Sequence, residues 1–351
     1  MKKFAFIFYF LFVACGIVTP WDGATPLLDQ KATPISWPMG LPVYDHVVLV
    51  VEENKNYDQI IDNPKAPYIN RTLREEGANF TQMFGEEHKS QGNYFWLFSG
   101  SNQNVGFKDV VPNEKNHPNY PFKTPNLGAA LIAKGLSFKG YAEDLPAIGA
   151  TVEFTKDADG EKVYARKHVP WISFANVPNG DTVATSSNLR FVDFPSGPAK
   201  FDTLPKVAIV VPNLENDMHN GKPKHSIPKG DAWLKKNLDA YYQWAKKHNS
   251  LLIVTWDEND DKSRFLGLTV PFMQPTNQLK RDIQNHIPTI FAGAHIKPGD
   301  YPEGKGITHV NILRTLEAMY GLPRAGSQQP NAAGGGIGDD YIITDVFEKV
   351  K

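Results

Sequence analysis

Cysteine is almost absent from this chain. One occurs in 351 residues, Cys15, so the body of the protein has neither a disulfide framework nor a thiol available for catalysis or for a zinc-thiolate site. Charge of one sign is also lacking. Thirty-seven Lys and Arg face 38 Asp and Glu, which leaves no global field to draw the chain to nucleic acid or to an anionic membrane. Long apolar runs are missing after the first residues, so no later segment has the hydropathy of a membrane span. Several motifs are missing too: a Walker loop, G-x-G-x-x-G, H-E-x-x-H and the G-x-S-x-G elbow. These absences weigh against P-loop nucleotide chemistry, dinucleotide binding, zincin proteolysis and the α/β-hydrolase mechanism.

The N-terminus does carry a short apolar stretch. MKKFAFIFYFLFVACG places two lysines before Phe4–Ala14, the layout of a secretory leader too short to remain as a spanning helix. Residues 1–24 are read as a signal peptide, with Cys15 where a bacterial lipoprotein would be cleaved and lipidated. The expected destination is the cell surface, the periplasm or the outside, with a lipid anchor as a candidate membrane contact. Residues 25–44, punctuated by Pro26, Pro34, Pro38 and Pro42, read as an extended segment, and 45–351 as one catalytic domain.

Within that domain, apolar runs alternate with amphipathic stretches. Strands are expected at 46–51, 136–142, 207–211, 251–256 and 287–293. Helices are expected at 57–61, 73–77, 94–98, 127–134, 231–247 and 310–320. Such alternation implies an α/β fold with a mostly parallel sheet. Residues 150–202 are polar and weakly periodic, and read as an irregular insertion.

Three of the strands end in polar clusters. VVLVV runs into Glu52, Glu53 and Asn54; VAIVV leads through PNLEN to Asp217 and His219; LLIVTW runs into Asp257 and Glu258. Open α/β sheets bind ligands beyond the carboxyl ends of their strands, so these oxygen and imidazole donors suit a divalent cation. Each cluster alone is equally a cap or a solvated loop. Ser90, just ahead of YFWLF, is either an N-cap or a hydroxyl positioned at a helix N-terminus, where a phosphate would be stabilised. His286 and His309 each stand at the start of an element, where a capping or surface role is the default.

In order along the chain, HVVLVVEENKNYDQII, HKSQGNYFWLFSGS, YAEDLP, YARKHVPW, VVPNLENDMH, GDAWL, TWDEND, NHIPTIFAGAHIKPG and ITHVNILRTLEAMYGL resemble the bacterial and fungal phosphoesterase family, which holds acid phosphatases and phospholipases C. The resemblance implies an alkaline-phosphatase-like three-layer sandwich, with a central, mostly parallel sheet flanked by helices. It also implies metal-dependent phosphoryl transfer through a phosphoserine. Carried over by position, Glu53, Asn54, Ser90, Asp257 and Glu258 become metal ligands, and Ser90 doubles as the nucleophile. Asp217, His219 and His309 become further catalytic positions, and Asn93, His168 and His286 weaker substrate contacts, with His88 weaker still. The family pattern departs at Lys89 and Gly92, and again at Asn259–Lys262.

The metal is left open among Ca, Mg, Mn, Zn and Fe, and the oligomeric state has no signal. The first reading is an acid phosphatase-like phosphomonoesterase acting on a small phosphate ester. A phospholipase C or other phosphodiesterase stands behind it, and a non-catalytic surface-binding lipoprotein behind that.

Overall fold

The structure, a computed structural model, describes residues 34–105, 109–260, 285–302, 306–327, 338 and 340–350. The expected leader with Cys15 lies outside them. Of the extended N-terminal segment, residues 34–44 are described; Pro34 pairs with Pro323, and the Ile35 N–H donates to the Leu322 carbonyl at 3.1 Å. Among the described residues no helix is long and apolar enough to cross a membrane.

Twelve strands and five α-helices are found among the described residues, with short π- and 3₁₀-helical turns between them. The strands are β1 (His46–Glu52), β2 (Ala78–Phe80), β3 (Met83–Phe84), β4 (Phe138–Ala142), β5 (Phe154–Lys156), β6 (Lys162–Ala165), β7 (Asn188–Arg190), β8 (Val207–Val211), β9 (Ser250–Trp256), β10 (Thr289–Gly293), β11 (Gly299–Tyr301) and β12 (Ile307–Thr308). The helices are α1 (Tyr57–Ile60), α2 (Ser90–Ser99), α3 (Leu127–Ala133), α4 (Pro223–Ala245) and α5 (His309–Tyr320).

Eight strands form one sheet in the order β11-β2-β10-β9-β1-β8-β4-β7. The run from β9 to β7 is parallel, and β10 alone is antiparallel to both of its neighbours. Every residue of β8 and β9, and all but the first of β1, is buried. That explains why these strands read as unbroken apolar runs rather than alternating ones, since a parallel strand is covered on both faces.

The irregular insertion departs from expectation in one respect. It folds into the β5–β6 hairpin and short 3₁₀ turns, but it also supplies β7, the edge strand of the main sheet. Helix α4 starts eight residues before the expected Asp231, with Pro223 in its first turn and Pro228 inside it.

Register positions the site. Glu52 pairs with Trp256 at the last step of the β1–β9 ladder, so Glu53 and Asp257 leave the sheet side by side. The Asp257 N–H donates to the Glu52 carbonyl at 3.0 Å, and the Glu53 N–H to the Asp217 carbonyl at 2.7 Å. Three strand ends are thereby tied together by backbone hydrogen bonds.

Candidate active site

The chain turns sharply where β1 stops. Asn54 has φ +38°, and Met218, between Asp217 and His219, has φ +76°. Left-handed backbone at non-glycine residues concentrates where a site requires it. The Asn54 turn directs its backbone N–H and its side chain toward the acids that follow β9. The Asn54 N–H donates to Asp257 Oδ1 at 3.1 Å, and Asn54 Nδ2 to Glu258 Oε1 at 3.0 Å.

Ser90 opens α2, facing these acids. Its hydroxyl lies 3.1 Å from Glu53 Oε2 and 3.3 Å from Glu258 Oε1, and the residue is 1% exposed. Helix α2 begins here rather than at Tyr94, so Ser90 sits in the first turn, where N–H groups lack helical partners. Lys89 precedes it in extended conformation. Glu53 is held from its other side by the Tyr94 hydroxyl at 2.8 Å. Tyr94 stacks on His168 with ring centroids 5.0 Å apart, and His168 Nε2 lies 3.2 Å from Glu53 Oε1, outside hydrogen-bond geometry. His88 Nδ1 contacts Glu258 Oε2 at 2.8 Å.

Crowding buried carboxylates raises their affinity for protons, through lost hydration and mutual repulsion. Burial pushes Glu53 up to about 8; Asp217 and Glu258 add to the rise, while Lys167 and Tyr94 oppose it. Asp257 is driven well above the usual carboxylate range by burial first, then by Glu53 and Glu258. Asp217 is also raised, mainly by burial, although its Oδ1 accepts the His219 N–H at 2.8 Å. His168 is held well below the ordinary imidazole value, chiefly by burial and next by Lys167. His219 belongs to an exposed residue at the rim, yet its ring is lowered by partial burial.

Two cations face the acids. Lys55, 2% exposed, donates to the carbonyls of Asn54 and Met218, both at 2.8 Å. Lys167 is held above the ordinary lysine value; burial opposes its charge, but Glu53 and Asp109 outweigh that effect.

The remaining predicted residues have other partners. Asn93 makes reciprocal hydrogen bonds with the backbone of Glu87, its Oδ1 accepting from the N–H and its Nδ2 donating to the carbonyl. His286 contacts the Thr81 carbonyl through Nε2 at 2.9 Å and stacks on Tyr57 at 4.5 Å. His309, 1% exposed, reaches the Trp256 carbonyl through Nε2 at 2.8 Å, while its Nδ1 is buried without a partner. These contacts hold Asn93, His286 and His309 in the framework around the site, and none of them is with Ser90, Glu53 or Glu258. Asn285, at φ +62°, clasps the loops together. Its Oδ1 accepts from Asn259 N at 2.6 Å, and its Nδ2 donates to the Glu87 carbonyl at 2.8 Å.

Tyr94, Lys55 and Lys167 are absent from the sequence-derived set, and His88 stands lowest in it. Lys167 lay in the quoted YARKHVPW beside His168, and that adjacency was the only signal for it. Tyr94 reads as one more core aromatic in YFWLF.

Among the described residues, no three His, Cys, Asp or Glu side chains form a ready-made metal cage. The donors gathered at Ser90 are a mixed oxygen set: carboxylates, the Asn54 amide and the hydroxyl itself. Asn54 Oδ1 and Asp257 Oδ2 are buried without hydrogen-bond partners. Unsatisfied buried oxygens beside repelling acids fit a hard divalent cation.

The sequence pattern of the Phosphoesterase family matches residues 61–323. A Mycobacterium tuberculosis protein named phosphatidylinositol-3-phosphatase is 42% identical over 314 residues, spanning 90% of this chain and 87% of its own length. A Kluyveromyces lactis protein named probable acid phosphatase is 26% identical over 289 residues, 81% of this chain and 60% of that one. Among solved structures, a protein of the alkaline phosphatase superfamily from Vibrio parahaemolyticus aligns with a TM-score of 0.54 at 12% identity, covering 90% of this chain and 76% of that one. That likeness concerns the fold, and it agrees with the mixed sheet described above. With the family pattern spanning most of the chain and a phosphatase relative matching nearly its whole length, the chain belongs to the Phosphoesterase family and is a phosphoric ester hydrolase.

Proposed function

We propose that the protein is a phosphomonoesterase that transfers the phosphoryl group of its substrate to Ser90 and then to water. The observation that carries this reading is the Ser90 hydroxyl at the start of α2, within hydrogen-bond reach of both Glu53 and Glu258. A nucleophile needs a base within hydrogen-bond reach and a third group to hold that base; here His88 holds Glu258 through Nδ1 at 2.8 Å.

In the first step the Ser90 oxygen forms a bond to phosphorus, and its proton passes to Glu258, because Glu53, raised to about 8, already holds a proton below neutrality. The bond from phosphorus to the leaving oxygen breaks, and that alkoxide takes a proton. His219 at the exposed rim is suited to deliver it, and its lowered pKa makes the acid form available only below neutrality. His309 is a poor donor, because burial brings it down to about 4 and keeps it neutral. In the second step water attacks phosphorus, the Ser90–phosphorus bond breaks, and Ser90 recovers a proton. Lys167 and the first-turn amides of α2 face the charge on the phosphoryl oxygens. A divalent cation held by Glu53, Asn54, Ser90, Asp257 and Glu258 would supply charge neutralisation and a lower pKa for the hydroxyl.

The monoester preference is supported by the names of the two curated relatives, both phosphatases. Comparing rates on a nitrophenyl phosphate, its bis-ester and a phosphocholine ester, before and after chelation, tests the reading. The expected result is fastest release from the monoester, lost on chelation and restored by one of the candidate metals. Faster cleavage of the bis-ester would transfer the assignment to a phosphodiesterase.

A further inference from the structure

The first turn of α2 already holds an anion, supplied by the chain itself. Asp109 Oδ1 accepts the Gln91 N–H at 3.3 Å, and Asp109 Oδ2 accepts from Lys167 Nζ at 3.0 Å. Both donors adjoin the nucleophile. Gln91 follows Ser90 in sequence, and Lys167 is close enough to feel the charge of Glu53, whose Oε2 meets the Ser90 hydroxyl. The contact is anchored once more, because Gln91 Nε2 donates to the Val110 carbonyl at 2.9 Å. An amide at a helix N-terminus together with an ammonium is the pair of donors a phosphoryl group would take in attacking position. Asp109 lies outside any strand or helix, with its side chain 29% exposed, so it can leave without disturbing the sheet.

We infer that Asp109 is a built-in competitor for the phosphoryl subsite beside Ser90, one that the substrate must displace from the Gln91 amide and Lys167 before transfer begins. This rests on the proposed role of Ser90. A self-occupied site weakens every incoming anion by the same factor, the fraction of molecules in which the site is open. Relieving the competition therefore shifts product inhibition and substrate affinity together. An orienting role for Asp109 gives the opposite sign, because Lys167 released from its partner would hold phosphate less well.

The experiment uses the full protein with nitrophenyl phosphate as substrate and inorganic phosphate as inhibitor. Asp109→Asn, with Asp109→Ser as the second variant, is expected to lower the Ki of inorganic phosphate and the KM by a common factor, on the order of tenfold, without lowering kcat. A higher Ki, or no change in either constant, overturns the inference and leaves the Ser90 reading intact. Undiminished turnover in Ser90→Ala would overturn that reading instead, and calorimetric titration of inorganic phosphate into Ser90→Ala and Ser90→Ala/Asp109→Asn still reads the competition. Equal affinities there would sink the inference.

Discussion

Helices α2 and α5 form a matched pair. They pack against each other, every residue of both is buried, and each ends on a left-handed glycine, Gly100 at φ +59° and Gly321 at φ +58°. Each also begins on a residue that the sequence marks as catalytic. Their N-termini nonetheless differ. Ser90 meets two buried carboxylates, Glu53 and Glu258, whereas His309 meets one backbone carbonyl and is sealed there. A polar side chain at a helix start acquires chemistry from what stands opposite, not from its position on the helix.

The sharpest way to break the comparison is to remove the hydroxyl. Ser90→Ala is expected to lower kcat by roughly a thousandfold or more while the protein keeps its unfolding midpoint, since the change deletes one buried oxygen. Mass spectrometry of acid-quenched enzyme should show phosphate on Ser90 in the wild type and none in the variant. A variant as active as wild type would remove α2 from the chemistry.

A smaller effect separates the helices by pH. His309 has a pKa of about 4 in the fold because burial disfavours its charge, against about 6.5 in the unfolded chain. Its folded value is depressed, so the unfolded state binds more protons between those values, and stability falls as pH drops from about 6.5 to 4. The full loss is about 3 kcal/mol. Urea denaturation of His309→Gln at pH 7 and pH 4.5 should show a shallower acid loss than the wild type. An unchanged slope would show that His309 is not the group responsible.

The third test concerns the loop leading into α2. A Cβ on Gly92 would run into the carboxylate of Glu87, which also accepts hydrogen bonds from Trp96 Nε1 and Asn102 Nδ2, both at 3.0 Å. Gly92→Ala is expected to cost about 1–3 kcal/mol of stability despite alanine's better helix propensity. It should also shift the loop carrying His88. Thermal unfolding measures it; a stabilised variant would mean that Glu87 moves freely.

Much of this was legible in the sequence. The strands β1, β8 and β9 show as apolar runs because both of their faces are covered, and their polar ends mark the functional edge. Strands β2, β3, β11 and β12 were missed because two or three residues are too few to show a period. Helix α2 was placed four residues late. With every residue buried it has no polar face to mark its first turn, and Ser90 reads as a residue just ahead of the helix, its cap or its N-terminal hydroxyl, rather than as part of it. Lys167, Tyr94 and His88 reach the site through tertiary packing. Nothing in their local sequence distinguishes an ion-facing lysine or tyrosine from an ordinary one.

The Asn285 clasp has a consequence for how the fold can vary. Asn285 is hydrogen-bonded both to Asn259, two residues beyond Asp257, and to Glu87, three residues before Ser90. One amide side chain therefore couples the acidic end of β9 to the loop leading into α2, and a change at residue 285 should reach the geometry around Ser90 from both sides at once.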